Sequence, residues 1–233
     1  MMNTERISAY VKRQGLSLSA NLVSRLPNNA LTSIARRRIE RGIRYPEGRE
    51  FVTQVLLNLK RCYRQTAGEC RTKFVQNFIG NYFLFSSEKR VNFSKRFGWD
   101  PPLLYIISPT MKCNLKCYGC YSANYRKKDI LNARTIDRIF REGKEIGMYY
   151  VVVSGGEPFL RDDLLELYKE HDDMYFMVYT NATIIKRKNL VPKLAELGNV
   201  FPCISVEGFE KETDERRGKG VFRTVLDVMK EMK

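Results

Sequence analysis

From about residue 104 onward, short β-rich runs alternate with helical patterns, and this alternation restricts the fold more than any other feature of the sequence. The runs, rich in Val, Ile, Tyr and Phe, occupy residues 104–108, 149–153, 174–179 and 201–206. Between and after them, apolar residues recur at helical spacing. Alternating strands and helices connect through right-handed crossovers, which make neighbouring strands parallel. The sequence therefore predicts an α/β fold with four βα units.

The first 103 residues have a different pattern. Apolar residues recur at helical spacing over 31–39, 51–62 and 71–84, and a basic segment follows over 89–96. The run Trp-Asp-Pro-Pro at 99–102 is incompatible with a continuing helix. We therefore predict two parts, a basic α-helical N-terminal region over 1–103 and an α/β core over 104–233.

The charge is concentrated in the helical region. Of the formal net charge of +15, residues 1–103 carry +12, from 19 Lys and Arg against 7 Asp and Glu. Clustered arginines, as in ARRRIERGIR at 35–44, fit an anionic partner: a membrane surface, a nucleic acid or an acidic peptide. Apolar stripes between the arginines favour anionic lipid. A solvated basic face is the alternative.

Neither a membrane span nor a secretion signal is evident in the sequence. Its apolar stretches are far shorter than the roughly 20 residues that a spanning helix needs, and the first residues, MMNTERISAY, lack an apolar signal core. We therefore expect a cytoplasmic location, with peripheral contact to a membrane through the basic region.

Three cysteines follow the first predicted strand. Cys113, Cys117 and Cys120 have the spacing CxxxCxxC, and functional residues of parallel α/β folds collect beyond the carboxyl ends of strands. Three thiolates within eight residues can converge on one metal centre. One interpretation is a [4Fe-4S] cluster with one iron open to a substrate or cofactor. The other is a structural zinc site completed by His171 or Cys203.

A second motif, VVVSGGEPFL, ends the second predicted strand. Gly155 and Gly156 would allow a ligand to approach the backbone closely, and Glu157 presents a carboxylate. A Gly-Gly pair by itself is also typical of a simple turn.

Together, CNLKCYGC and the SGGEP of the next strand resemble the radical S-adenosylmethionine (radical SAM) superfamily. The resemblance covers residues 104–233 and implies a partial (βα) barrel of the radical SAM type. It makes Cys113, Cys117 and Cys120 the cluster ligands. It also implies contacts with S-adenosylmethionine from the SGGEP loop, from the TNAT segment that ends the third strand and from ISVEG in the fourth: Gly155, Gly156, Glu157, Asn181, Ser205 and Glu207.

The resemblance implies an activity as well. A one-electron donor such as a flavodoxin or ferredoxin would reduce the [4Fe-4S] cluster, and S-adenosylmethionine would be cleaved to methionine and a 5'-deoxyadenosyl radical. That radical would abstract hydrogen from a substrate, either a peptide, a lipid or an RNA. The alternative is a non-catalytic iron-sulfur or zinc-binding protein with an incomplete barrel.

The sequence departs from the superfamily pattern at two points. The position before the third cysteine is often aromatic in the superfamily but is Gly119 here, with Tyr118 and Tyr121 on either side. The superfamily barrel has six βα units, whereas this sequence shows four. We therefore expect a core truncated before the fifth strand, as a fragment or completed by another chain.

The remaining cysteines and the single histidine give weaker signals. We predict Cys62 and Cys70 to be buried structural thiols, because neither has CxxC spacing, and Cys203 to be a core residue inside a strand. His171, in the polar stretch KEHDDM, is predicted to be a solvated surface residue.

Overall fold

The N-terminal region is built from helices in the computed structural model, which describes residues 4–126, 128 and 130–233. The helices are α1 (Thr4–Arg25), α2 (Asn28–Gly42), α3 (Pro46–Gln65), α4 (Gly68–Lys73), a π-helix (Phe74–Phe85) and α5 (Ser87–Phe97). The predicted apolar stripes lie in α2, α3 and the α4/π-helix pair, and the basic segment over 89–96 is part of α5. Helix α1 was not predicted. No helix in the described part of the chain is long and apolar enough to cross a bilayer.

The remaining residues form the α/β core. Its strands are β1 (Tyr105–Ile107), β2 (Tyr150–Val153), β3 (Tyr175–Thr180) and β4 (Val200–Ile204). All pair in parallel, in the order β1-β2-β3-β4. The helices between and after them are α6 (Ala133–Glu145), α7 (Asp163–Glu170), α8 (Thr183–Arg187), α9 (Val191–Leu197), α10 (Glu210–Arg217) and α11 (Val221–Glu231). The predicted fold, with four βα units, is confirmed.

The two faces of the sheet are covered differently. One face is packed under the helices of the core, and its central side chains are fully buried: Val151, Val153, Phe176 and Val178. The opposite face carries Ile106, Tyr179 and Phe201, which are 64%, 46% and 49% exposed. Alternate residues of a strand point to opposite faces, so one helical layer leaves the second face of the sheet partly open.

Aromatic residues of the π-helix cover the amino-terminal end of that second face. The ring of Phe78 lies 5.5 Å from Tyr150 and 5.3 Å from Tyr175, measured between centroids. The Asn77 side chain is 1% exposed and donates to the carbonyl of Met174, 2.9 Å away. The helical region therefore packs against the end of the sheet opposite the cysteine loop.

Two predictions about single residues are wrong. His171 is only 3% exposed, because α7 ends just before it and turns its ring against α6, where Nε2 lies 3.0 Å from Asp137 Oδ1. Burial lowers the pKa of His171. Cys62, in the last turn of α3, is exposed rather than buried, while Cys70 and Cys203 are half-buried.

Candidate functional site

A pocket of about 350 Å³ lies beyond the carboxyl ends of the strands. It contains most of the residues that the sequence singled out, and it is lined by Cys113, Cys117, Gly119, Cys120, Tyr121, Ser154, Gly155, Gly156, Tyr179, Thr180, Asn181, Ser205, Arg216 and Arg217. No carboxylate is among these lining residues. The side chains of Glu157 and Glu207, both predicted contacts, lie outside the lining.

All three cysteines of the motif line this one pocket. Each is free and half-buried. A turn in which the Cys120 amide donates to the Cys117 carbonyl, at 3.3 Å, folds the loop back on itself. Burial raises the pKa of the Cys113 thiol, and the Leu115 amide donates to its sulfur at 3.5 Å. The loop therefore presents three sulfur donors to a shared space.

The Gly155-Gly156 pair allows the cysteine loop to cross the end of β2 in close contact. The Gly156 amide donates to the Thr110 carbonyl and the Glu157 amide to the Lys112 carbonyl, both at 2.8 Å. A Cβ at Gly156 would lie 2.1 Å from the Lys112 oxygen, and one at Gly155, where φ is 110°, would lie 2.3 Å from the Thr110 oxygen. Only glycine fits at these two positions, because side-chain atoms would collide with the segment that leads into Cys113.

Tyr121 connects the cysteine loop to the glycine pair from the other side. Its hydroxyl lies 3.0 Å from Ser154 Oγ, accepts from the Gly155 amide at 3.1 Å and donates to the Gly155 carbonyl at 3.2 Å. Tyr118, by contrast, is 85% exposed and does not line the pocket. Of the two tyrosines next to Gly119 in the sequence, the one after the third cysteine belongs to the site.

Glu157 is fully buried beneath the pocket. Its Oε1 accepts from the Phe159 amide at 3.1 Å, its Oε2 accepts from the Asn181 amide at 2.9 Å, and the Thr180 hydroxyl lies 2.9 and 3.0 Å from the two oxygens. Burial raises the pKa of Glu157, while the hydrogen bonds from Asn181, Phe159 and Thr180 act in the opposite direction. The carboxylate thus ties the end of β2 to the end of β3.

Replacing Glu157 by Ala is expected to destabilise the fold by about 3 kcal/mol or more, because three buried donors would lose their acceptor. Urea unfolding of the purified variant measures this loss. The control is Glu166→Ala, which removes an exposed carboxylate paired with Lys193 and should change the unfolding free energy by less than about 0.5 kcal/mol. Unchanged stability of Glu157→Ala would show that this carboxylate does not hold the ends of β2 and β3 together.

Asn181 joins the end of β3 to the cysteine loop. Its Nδ2 donates to Asn114 Oδ1 at 3.1 Å and to Cys113 Sγ at 3.8 Å, and its Oδ1 accepts from the Thr183 amide at 3.0 Å. The side chain is 6% exposed and lines the pocket. Asn181, the residue predicted in TNAT, is therefore hydrogen-bonded to the cysteine loop at Cys113 and Asn114.

The predicted pair Ser205 and Glu207 is divided between two environments. Strand β4 ends at Ile204, so neither residue lies on the strand that would align their side chains. Ser205 lines the pocket. Glu207 instead forms ion pairs with Arg216, at 2.6 Å, and Arg217, at 2.5 Å. These arginines lower the pKa of Glu207 and hold its carboxylate at the rim of the pocket.

Arg216 also attaches the end of α10 to the cysteine loop. The Tyr118 amide donates to the Arg216 carbonyl at 3.0 Å, and Arg216 Nε donates to the Tyr118 carbonyl at 3.2 Å. Because no sequence pattern predicts α10, Arg216 and Arg217 were not expected at the site. Their guanidinium groups add positive charge beside the three thiols.

The fourth ligand that a zinc site would need does not come from His171. That residue precedes β3 and is bonded to Asp137, whereas the cysteines lie beyond the other ends of the parallel strands. Cys203 is not among the residues that line the pocket. Within the described ranges, no group of three or more His, Cys, Asp and Glu side chains has the geometry of a single-metal site.

The sequence profile of the radical SAM superfamily matches residues 107–233, more than half of the chain. The chain belongs to the radical SAM superfamily. The matched residues begin in β1 and include the cysteine loop, the glycine pair and every other strand of the sheet. The superfamily's cofactors are a [4Fe-4S] cluster and S-adenosylmethionine.

Individual relatives match the same part of the chain. Fe-coproporphyrin III synthase of Methanosarcina barkeri is 33% identical over 150 residues, 60% of this chain and 36% of that protein. PqqA peptide cyclase of Bradyrhizobium diazoefficiens is 32% identical over 149 residues, 61% and 38% of the two chains. The chain thus spans well under half the length of these radical SAM relatives.

A solved structure is similar over a longer stretch. Streptococcus suis SuiB bound to S-adenosylmethionine superposes with a TM-score of 0.52 and 25% identity, covering 88% of this chain and 44% of SuiB. The superposition covers more of this chain than residues 107–233, which the superfamily profile matches. Part of the helical N-terminal region therefore also has a counterpart in SuiB.

The residues of the pocket suit both radical SAM cofactors. Three free thiols are the donors that iron-sulfur clusters take, and three ligands leave the fourth iron open. Gly155 and Gly156 line the same pocket, and the side chains of Asn181 and Ser205 provide polar groups there.

Proposed function

We propose that this chain carries the cluster-binding part of a radical SAM enzyme. The observation that supports this most strongly is the convergence of Cys113, Cys117 and Cys120 with the Gly155-Gly156 loop around one pocket. When bound, the [4Fe-4S] cluster and S-adenosylmethionine supply a 5'-deoxyadenosyl radical, which abstracts hydrogen from the substrate. In this proposal residues 104–233 form the radical SAM core, and residues 1–103 form a basic helical region that packs against the amino-terminal end of its sheet.

Each pocket residue has a distinct part in the proposal. The three cysteines bind the cluster, and Asn181 and the glycine pair keep the cysteine loop in place. Gly155, Gly156, Asn181 and Ser205 contact S-adenosylmethionine. Glu157 and Glu207 act without touching it: Glu157 braces the ends of β2 and β3 from below, and Glu207 orients Arg216 and Arg217 at the rim.

The substrate is selected outside the matched region. The names of these relatives refer to different kinds of molecule, Fe-coproporphyrin III in one case and a peptide in the other, although both match this part of the chain. The name of a third relative, probable GTP 3',8-cyclase of Thermococcus kodakarensis, refers to a nucleotide. What these enzymes share is radical SAM chemistry, which also requires an external one-electron donor such as a flavodoxin or ferredoxin.

Metal analysis after anaerobic reconstitution tests the proposal. The whole chain is expected to bind about four irons, and the reconstituted protein, once reduced, is expected to release 5'-deoxyadenosine from S-adenosylmethionine. One zinc per chain and no 5'-deoxyadenosine would instead support the second candidate, a non-catalytic metal-binding protein. That candidate is kept because cysteine thiolates, the donors supplied by Cys113, Cys117 and Cys120, are also ligands of zinc.

The basic helical region has a proposed partner of its own. Its charge of +12 over residues 1–103 favours an anionic surface, and its exposed apolar side chains, such as Leu22 and Phe51, favour a membrane over a purely polar partner. In this proposal the enzyme docks at the periphery of an anionic membrane through its helical region.

A further inference from the structure

A basic cleft lies between the start of α2 and one face of α3, away from the cysteine pocket. Its volume is about 410 Å³. One apolar and seven polar or basic residues line it: Asn28, Gln54, Leu57, Asn58, Lys60, Arg61, Arg64 and Gln65. No lining residue is acidic. The cleft thus gathers three cationic groups and four side-chain amides, all of which can donate hydrogen bonds to an anion.

The cations of this cleft have no carboxylate partner in the described part of the chain. Lys60 is 9% exposed, and its Nζ donates to the Leu26 carbonyl and to Asn28 Oδ1, at 2.5 and 2.7 Å, both neutral acceptors. Arg61 and Arg64 form no ion pair there. The surrounding sequence is poor in acid, because residues 6–39 and 51–68 contain no Asp or Glu. One carboxylate lies nearby, that of Glu50, which accepts from the lining Gln54 at 2.7 Å. The three cations of the cleft therefore outnumber the carboxylates around them.

The amino end of α2 adds to this field. The residue before the helix, Pro27, offers no side-chain cap, and the first turn carries no acidic residue. Although the Ala30 amide donates to Asn29 Oδ1 at 2.9 Å, the helix dipole makes this end locally positive. Asn28, the first residue of α2, lines the cleft beside Lys60, so the helix end and the cationic side chains act on the same space.

Exposed apolar side chains lie next to the cleft. Leu22 and Val23, 68% and 40% exposed, are in the last turn of α1, and the Leu26 carbonyl that follows them accepts from Lys60. Phe51 is 69% exposed and lies one turn before Gln54 on the same face of α3. A surface that combines unpaired arginines with exposed leucine and phenylalanine matches a bilayer interface, where phosphates and apolar chains are both present.

We infer that this cleft binds the phosphate of an anionic phospholipid headgroup and so docks the protein on a membrane. The inference deepens the membrane partner proposed above. Arg61, Arg64 and Lys60 contact the phosphate, the amides of Asn58 and Gln65 add hydrogen bonds, and Leu22 and Phe51 enter the interface beside it.

Vesicle co-sedimentation of the whole chain at low salt tests the inference. The probes are vesicles of phosphatidylcholine alone and of phosphatidylcholine mixed with phosphatidylglycerol. Only the mixed vesicles are expected to retain the protein. The double variant Arg61→Ala/Arg64→Ala is expected to bind them about thirty-fold more weakly, because each basic side chain at an anionic surface contributes a factor of about five. Leu22→Ser is expected to weaken binding about ten-fold.

The matched control is Arg138→Ala/Arg223→Ala, which removes the same formal charge from α6 and α11, where these arginines pair with Glu142 and Glu210. If this control loses as much vesicle binding as Arg61→Ala/Arg64→Ala, the assignment of the binding site to the cleft is overturned, but a membrane partner is still supported. Equal retention by both vesicle types would overturn the membrane partner itself.

Two further probes distinguish other sources of phosphate. Thermal stabilisation by pyrophosphate, without retention by either vesicle, would overturn the lipid assignment in favour of a soluble ligand. Retention of an RNA oligonucleotide, again without vesicle binding, would overturn it in favour of nucleic acid. Iron content after reconstitution should be the same in all these variants, so failure of the cluster proposal would be recognised separately.

Discussion

Substitution of Cys117 by Ala is expected to abolish cluster assembly, with the iron content falling from about four per chain to less than about one-tenth of that value. Only three thiols line the pocket, and no other cysteine of the chain lines it. Loss of one therefore leaves two, which is too few to hold a cluster that already has an open iron. Iron and sulfide analysis after anaerobic reconstitution measures the effect.

Two control variants accompany this substitution. Cys62→Ala removes an exposed thiol on α3, and Cys203→Ala removes a half-buried thiol on β4 that is absent from the pocket lining. Both are expected to retain the iron content of the unsubstituted protein. An unchanged iron content in Cys117→Ala would contradict the ligand assignment, and a loss in Cys203→Ala would make that residue a fourth ligand.

Replacing Gly156 by Ala is expected to lower the free energy of unfolding by about 3 kcal/mol and to reduce the reconstituted iron content at the same time. The added Cβ would lie 2.1 Å from the Lys112 oxygen, a backbone atom that cannot move without displacing the segment leading into Cys113. Overpacking of this kind costs several kcal/mol when the backbone must shift. Urea unfolding and iron analysis of the same preparation report the two effects.

Gly15→Ala is the matched control for this substitution. Gly15 lies inside α1, and no atom lies within 4 Å of the position its Cβ would take. Alanine there should stabilise the protein by about 0.5–1 kcal/mol, because glycine is the poorer helix former. Normal stability and iron content in Gly156→Ala would show that the glycine pair is not needed for close contact between the end of β2 and the segment leading into Cys113.

The fold was largely predictable, because its determinants are local. The four β-rich runs each overlap a strand, and parallel pairing follows from the helices between them. The shared position of the three cysteines and the glycine pair also follows, since parallel strands bring their carboxyl ends to one edge of the sheet. Cys113 and Gly156 meet there although they are distant in the chain.

The direction of individual side chains was not predictable in the same way. Glu157 was predicted to face a ligand, yet its carboxylate is turned into the protein by donors from Phe159, Thr180 and Asn181. The backbone amides of Phe159 and Asn181 come into position only after β2 and β3 have paired. His171 likewise becomes buried through a contact with Asp137, a residue of another helix. Such orientations depend on partners distant in sequence, which no local pattern reveals.

Three further residues of the site were not predicted for the same reason, because their positions depend on contacts between distant parts of the chain. Arg216 and Arg217 belong to α10, a short and strongly polar helix with no apolar stripe to predict it. They reach the pocket because the ends of α10 and of the cysteine loop exchange two hydrogen bonds, between Arg216 and Tyr118. Tyr121 could be suspected from its place beside the cysteines, but its contact with Gly155 required the folded loop.

The central claim is that three cysteines hold a cluster whose open iron takes S-adenosylmethionine. Electron paramagnetic resonance of the reconstituted and reduced whole chain, recorded with and without S-adenosylmethionine, tests it most directly. A cluster with an iron open to this ligand is expected to change its g values when S-adenosylmethionine is added. A cluster signal that stays the same at saturating S-adenosylmethionine would contradict the claim.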